Sequence, residues 1–361
     1  MAKLMIVFQL PVQLIRERYV LPHEKRSPFC QNATFFQDLV IRGVRYAFAY
    51  IPAKIGRVFF SKWVAYPFFR FRLLRHGYLR SPIFFQEVVR RGVRGLWIIP
   101  DETKDPGVII YYCHGGGFSM GSSFFYLEFL IAWITRLKEA GFRNPACFAL
   151  EYTLVPDERW PKQFNETRAG FDFLRESFGE GSAAKIVVSG DSAGATLMLS
   201  MLLQPGSLDQ EPKFNESERP ALAVLLSPWT HLISELNQNT PSDYLDKDSL
   251  HLYAHQYGGD GAKSDQVISP GLCISRWKRA SPLHGYRIIY GAEEVFARGI
   301  EETVENIRKD GAAAKAHRLE AGIHAWPVVN LFLGANSDER LTGLDLMVDC
   351  MVSSEMAPKK Q

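Results

Sequence analysis

The chain has 361 residues, 47% of them hydrophobic and 22% charged, so a sizeable buried core is possible and wholesale disorder is excluded. A net charge of +3 argues against a nucleic-acid binder. That total conceals an asymmetry: residues 1–100 hold 17 basic and 4 acidic side chains, together with 19 of the 46 aromatics.

In chain order, residues 1–85 read as helical, aromatic and basic, with Pro67 as a breaker. Lys3 followed by the uncharged run 4–15 imitates a signal peptide. Gln9, Pro11 and Gln13 interrupt that run, and no small-x-small cleavage site follows nearby. No uncharged apolar run reaches the roughly 18 residues a membrane-spanning helix needs; the run 46–69 is broken by Lys54, Arg57 and Lys62. From about residue 95 onward, strands are expected at 108–113, 146–152, 185–189, 221–226, 287–290 and 316–319. Helices are expected at 124–138, 164–178, 193–203 and 300–309, with a closing helix from 328. This alternation predicts an α/β fold with a mainly parallel central sheet covered on both faces. Residues 229–275 are polar and break the alternation. The expected organisation is a helical cap segment at 1–85 and a core at 86–361 carrying a cap or lid insertion at about 229–275, since function collects on long connections.

The five cysteines, Cys30, Cys113, Cys147, Cys273 and Cys350, form no CxxC pair and leave one over. They predict neither a disulfide framework nor a zinc cluster, and point to a reducing, cytoplasmic setting. Asp243, Asp246 and Asp248 lack the glycine and glutamate of a calcium loop. No metal or cofactor is expected.

Two motifs carry chemistry. Gly190-Asp191-Ser192-Ala193-Gly194 follows an apolar strand and opens a helix, the setting of a nucleophile elbow. A serine on such a tight turn stands clear of the sheet, and the flanking glycines let backbone approach closely. His114-Gly115-Gly116-Gly117-Phe118 also follows a strand. Consecutive glycines expose backbone N–H groups that can hold an oxyanion. No Lys-Ser/Thr follows, and the spacing fits neither a P-loop nor G-x-G-x-x-G. His114 and Gly115 are read as loop support, His114 by hydrogen bonding. The order of the motifs places both at the carboxyl ends of neighbouring parallel strands, where open α/β sheets bind ligands.

On these two motifs the sequence resembles the hormone-sensitive-lipase-like esterases of the α/β-hydrolase fold, over roughly residues 100–335. The resemblance extends to Tyr152-Thr153-Leu154-Val155-Pro156-Asp157, Pro161 and Leu226-Ser227-Pro228-Trp229. Ser281-Pro282-Leu283-His284-Gly285 and Tyr290-Gly291-Ala292-Glu293-Glu294-Val295-Phe296 look most like the fungal steryl acetyl hydrolase branch. The chain departs from the family in having Glu151 and Glu294 where the family usually has aspartate. The membrane anchor common in that branch is not evident.

The resemblance implies a Ser-acid-His order along the chain. Of the nine histidines, His317 and His324 follow the strand at 287–290. His317 falls inside an alternating strand, whereas His324 stands in a loop matching the family's histidine turn. The family's acid position falls on Glu294, with Glu293 as the neighbouring alternative; Asp191 serves the elbow's geometry. The expected catalytic set is Ser192, Glu294 and His324, with oxyanion N–H groups from Gly116, Gly117 and Ala193.

The expected function is a serine-dependent carboxylic-ester hydrolase. The resemblance and the aromatic cap suggest a small acyl group, such as acetyl, on a lipophilic sterol-, terpenoid- or polyketide-like alcohol. The alternative is a biosynthetic enzyme of secondary metabolism using the same constellation for condensation, cyclisation or acyl transfer. With serine, acid, histidine and glycine loop all present, a non-catalytic binding module is the weakest option. The expected partner is a small lipophilic ester, not nucleic acid, and the oligomeric state is open. Phe59, Phe60, Trp63, Tyr66, Phe68, Phe69 and Phe71 crowd into thirteen residues of this basic end. Either they pack on the core as a cap, or part of this surface contacts an intracellular membrane peripherally.

Overall fold

The computed structural model describes residues 10–76, 84–90, 92–179, 181–204, 216–354 and 356. Residues 4–9 of the uncharged N-terminal run and the C-terminal Pro358-Lys359-Lys360-Gln361 lie outside them.

Among the described residues the strands are β1 (Phe84–Arg90), β2 (Val93–Ile99), β3 (Ile109–Cys113), β4 (Ala146–Leu150), β5 (Ile186–Asp191), β6 (Leu222–Leu226), β7 (Tyr286–Gly291) and β8 (Ala314–Leu319). They form one sheet in the order β1-β2-β4-β3-β5-β6-β7-β8. β1 pairs antiparallel with β2, and β2 with β4; every other pairing is parallel. The main helices are α1 (Phe35–Tyr50), α2 (Ala53–Phe60), α3 (Lys62–His76), α4 (Ser123–Glu139), α5 (Lys162–Phe178), α6 (Ala193–Leu203), α7 (Lys247–Gly258), α8 (Ala297–Lys309), α9 (Trp326–Leu333) and α10 (Ser337–Val352).

The central strands are buried at every position. A strand covered on both faces has no reason to alternate apolar with polar residues. Ile109, Tyr111 and Cys113 point to one face, where α5, α6 and α8 pack; Ile110 and Tyr112 point to the other, under α4 and α10. This is the mainly parallel sheet, covered on both faces, that the strand–helix alternation predicted.

Three differences have physical reasons. The hairpin β1–β2 was not expected, and it places strand residues inside the proposed 1–85 segment. β1 is half-exposed at the sheet edge, so its sequence carries little of the apolar signal. α3 runs through Pro67 instead of breaking there. Ala65, Phe69 and Arg72 are buried on its inner side, and this packing holds the helix together despite the missing N–H. The closing helix is two helices, because Asn336 caps a new one by accepting from the Glu339 N–H (2.9 Å).

The N-terminal helices are fastened to the sheet domain by arginines. Arg72 pairs with both carboxylate oxygens of Glu128 in α4, and donates to Leu331 O in α9 (2.7 Å). Arg57 donates to Ser119 O (2.9 Å) and to Asp157 (2.7 Å). Arg45 donates to Pro241 O (2.7 Å) and Asp243 O in the connection after β6. Part of the basic excess of this end therefore serves as internal struts.

Candidate active site

The chain reverses at Ser192, between β5 and α6, with φ of 51° and ψ of −122°. Such a conformation costs on the order of 1–3 kcal/mol and persists where the surroundings over-determine it. Here the Ser192 N–H donates to Leu226 O (3.0 Å), while Ser192 O accepts from the N–H groups of Thr196 (3.1 Å) and Trp229 (3.3 Å). Glycine is required on both sides. A Cβ on Gly190 would lie 2.5 Å from Cys113 O, and one on Gly194 would lie 2.0 Å from the same oxygen. The end of β3, and the loop it feeds, therefore press directly against the elbow.

In that loop Gly116 and Gly117 adopt φ of 110° and 60°. A Cβ on Gly116 would meet Met120 O at 2.2 Å. The Gly115 N–H donates to Asp191 Oδ1 (2.8 Å), so it is not available to a ligand. Among the described residues, the N–H groups of Gly116, Gly117 and Ala193 enter no backbone hydrogen bond. Asp191 also accepts from Tyr112 Oη (2.8 Å) and Tyr126 Oη (2.7 Å), which ties the elbow to the glycine loop. Burial pushes its carboxyl up, against the tyrosine hydrogen bonds and the charge of His324. His114 Nδ1 lies 2.8 Å from Gly115 O, and its ring stacks on Tyr152 at 4.4 Å. It lies within the loop as a brace. From the other side, the Tyr257 ring stacks on Phe118 at 3.8 Å.

His324 sits in the turn between β8 and α9 and is buried. Its Nδ1 lies 3.8 Å from Glu294 Oε1, too far for a hydrogen bond. Both atoms are buried without another partner. Each such atom costs about 1–3 kcal/mol, which a closer approach of the pair would relieve. The other Glu294 oxygen accepts from Ser227 Oγ (2.6 Å) and the Gly291 N–H (2.9 Å). Burial lowers the His324 pKa, but the carboxylates of Glu294, Asp243 and Asp191 outweigh it and hold the imidazole above its ordinary value. Glu293 points elsewhere, its carboxylate accepting from Ser242 Oγ (3.2 Å). His317 faces α10, 3.5 Å from Cys350 Sγ. Glu151 accepts from the Ser123 N–H at the start of α4.

Two residues that the sequence reading did not select brace the histidine turn. Ser227 Oγ accepts from the Ala325 N–H (2.8 Å) while donating to Glu294. Asp243 accepts from the His324 N–H (3.2 Å), the Val295 N–H (2.8 Å) and the Tyr244 N–H (2.8 Å). One carboxylate thus ties the loop after β6 to both the acid loop and the histidine turn, and burial pushes its pKa up. Ser227 lay within a family-like segment; nothing local marks Asp243, whose bond to His324 spans 81 positions.

Ser192, His324, Asp191 and the glycines at 115–117 line one cavity of about 320 Å³. Among the described residues no hydrogen bond joins Ser192 to His324. The remaining walls are mainly apolar, with Tyr126 and Tyr244 among them: Val40, Ile41, Val44 and Phe48 come from α1, Phe60 from α2, Leu245 and Leu250 from the region of α7, and Val328, Val329, Phe332 and Leu333 from α9. The first four recur at helical spacing, so one face of α1 forms a wall. Among the described residues no cluster of three or more His, Cys, Asp or Glu is placed to hold a metal ion, and all five cysteines are free and buried.

The sequence profile of a family described as alpha/beta hydrolase fold matches residues 110–328. The chain is 27% identical over 205 residues to a Schizosaccharomyces pombe protein named "Putative steryl acetyl hydrolase", covering 54% of this chain and 51% of that one. It is 35% identical over 108 residues to an acetyl esterase of Salmonella schwarzengrund, covering 29% and 30%. The chain spans about half or less of the length of the curated relatives it matches. A crystal structure of an esterase from the bacterial hormone-sensitive lipase family aligns with a TM-score of 0.67 at 19% identity, covering 90% of this chain and 99% of that one. Carboxyl esterase 2 of Tuber melanosporum aligns with a TM-score of 0.61 at 20% identity, covering 76% and 89%. At these identities the solved structures establish the fold.

Proposed function

The chain belongs to the α/β-hydrolase family, and within it we propose a serine-dependent carboxylic-ester hydrolase acting on a lipophilic ester. The observation that carries this reading is the meeting of Ser192, His324 and the glycine loop on one apolar cavity, with Glu294 directly behind the histidine. Ser192 Oγ attacks the acyl carbon as His324 Nε2 takes its proton, and Glu294 compensates the imidazolium charge. The N–H groups of Gly116, Gly117 and Ala193 hold the developing oxyanion. Collapse expels the alcohol, which receives the proton from His324. Water then enters by the same route in reverse and frees the acid.

The apolar walls favour a bulky, lipophilic alcohol, of sterol, terpenoid or polyketide type. The names of the acetyl esterase and steryl acetyl hydrolase relatives agree with a small acyl group. The same dry walls favour a second reading, transfer of the acyl group to another alcohol, because a site that excludes water protects the acyl-enzyme. Mass spectrometry after fluorophosphonate treatment tests the mechanism: an adduct on Ser192 is expected, and its absence from folded protein removes the proposal. Acyl esters turned over with and without added alcohol then separate hydrolysis from transfer by product ratio.

A further inference from the structure

We propose that the outer face of the N-terminal helices is a docking surface for an anionic lipid bilayer. Of the 23 large apolar side chains exposed among the described residues, 16 lie between residues 12 and 74. They are not scattered. On α3 the exposed Trp63, Val64, Phe68, Phe71 and Leu74 form one helical stripe, while Ala65, Phe69 and Arg72 face the core. Trp63 is 85% exposed. An apolar face of this kind marks an interaction site.

The charge pattern identifies the occupant. Residues 39–86 contain nine basic side chains and no acidic one. Arg42, Arg45, Arg57 and Arg72 turn inward to carboxylates and carbonyls. Lys54, Arg70 and Arg75 stand exposed on α2 and α3. A second copy of this chain would set the same positive face against itself, at an electrostatic cost. An anionic bilayer complements both features: Trp and Phe enter the interface while Lys and Arg meet the headgroups. The surface adjoins the cavity, for Phe68 stacks on Phe332, a cavity wall, at 6.4 Å. A bilayer-dissolved ester would meet the protein on that side. This last point rests on the ester-hydrolase reading; the surface itself does not.

The experiment is flotation of the full chain with phosphatidylcholine vesicles, with and without phosphatidylserine, at low and high salt. Binding to the anionic vesicles is expected, falling as salt screens the attraction. The triple variant Trp63→Gln, Phe71→Gln, Leu74→Gln should partition on the order of a hundredfold less, with unchanged circular dichroism and unchanged turnover of a water-soluble acetate ester. The proposal fails if the full chain does not float at low salt, if neutral vesicles bind it equally, or if the triple variant binds as well as the parent. It fails also if the parent is a vesicle-free dimer that the triple variant dissolves, which would assign the face to a second copy. Flotation reads no catalysis, so a failed ester-hydrolase assignment leaves this result standing, and the reverse holds too.

Discussion

The sheet domain and the N-terminal helices are built by different physical rules. β3 to β7 bury every residue between two helical layers, so the hydrophobic effect drives their packing while the backbone ladders set their register. The N-terminal helices bury one side, expose the other, and are held by a few arginines in ion pairs and carbonyl contacts. The first construction produces a rigid floor that can store strain at Ser192. The second produces a roof, which shapes the cavity without holding any of the proposed reacting groups. Mutations should therefore separate cleanly: those in the floor abolish chemistry, and those in the roof change stability or access.

The largest effect should come from Ser192→Ala, which is expected to lower turnover of p-nitrophenyl acetate by about 10⁴-fold or more with an unaltered melting curve. Wild-type activity in that variant, with contaminating esterase excluded, would break the proposed division at its centre. Glu294→Gln should cost about 10³- to 10⁴-fold by the same assay, because the histidine loses its counter-charge. Glu293→Gln should stay close to the parent; the opposite pattern would move the acid by one position.

In the roof, Arg72→Ala leaves Glu128 buried without its partner and should destabilise the protein by about 3–5 kcal/mol, measured by denaturant unfolding. Unfolding in two separate transitions would show that the helices come away before the sheet domain, which sharpens the contrast. A loss confined to activity, with stability unchanged, would contradict it.

Asp243→Asn tests the seam between the two. An amide presents a donor where the carboxylate now accepts from a backbone N–H, so one of its bonds must be lost, at about 1–3 kcal/mol. Turnover should fall by roughly 10- to 100-fold through misplacement of His324. Restored turnover in Asp243→Glu, or an increase in KM with kcat unchanged, would point away from positioning.

The smallest effect is on pH. The neutral imidazole is the base, and the surrounding carboxylates raise the His324 pKa. Protonation therefore persists to higher pH, and kcat/KM should rise with pH through a midpoint above the ordinary value of about 6.5. Removing the negative partner in Glu294→Gln leaves burial as the larger influence, so the residual activity should have its midpoint shifted down. A midpoint that does not move would uncouple the two residues.

What was legible in the sequence is what depends on neighbours along the chain. Continuous apolar runs revealed the buried strands, because a strand covered on both sides cannot alternate. The elbow at 190–194 and the glycine loop at 114–117 were legible because tight turns demand glycine locally. Their shared position followed from parallel topology, and the expectation that Glu294 stands near His324, which lies 3.8 Å from it, from family resemblance. Only the tertiary structure decided the rest. The edge strand β1 is half-exposed, so burial never imprinted a pattern on it. Pro67 broke no helix because distant packing outweighed a local rule. Arginines of the basic N-terminal segment became struts once partners such as Glu128, distant in sequence, came into reach. Asp243 acquired its place beside His324 across 81 positions, a contact no local pattern encodes. Which of seven crowded aromatics face outward is likewise set by how α3 lies on the core. A helix's own sequence marks an apolar stripe but does not say whether protein or solvent will meet it.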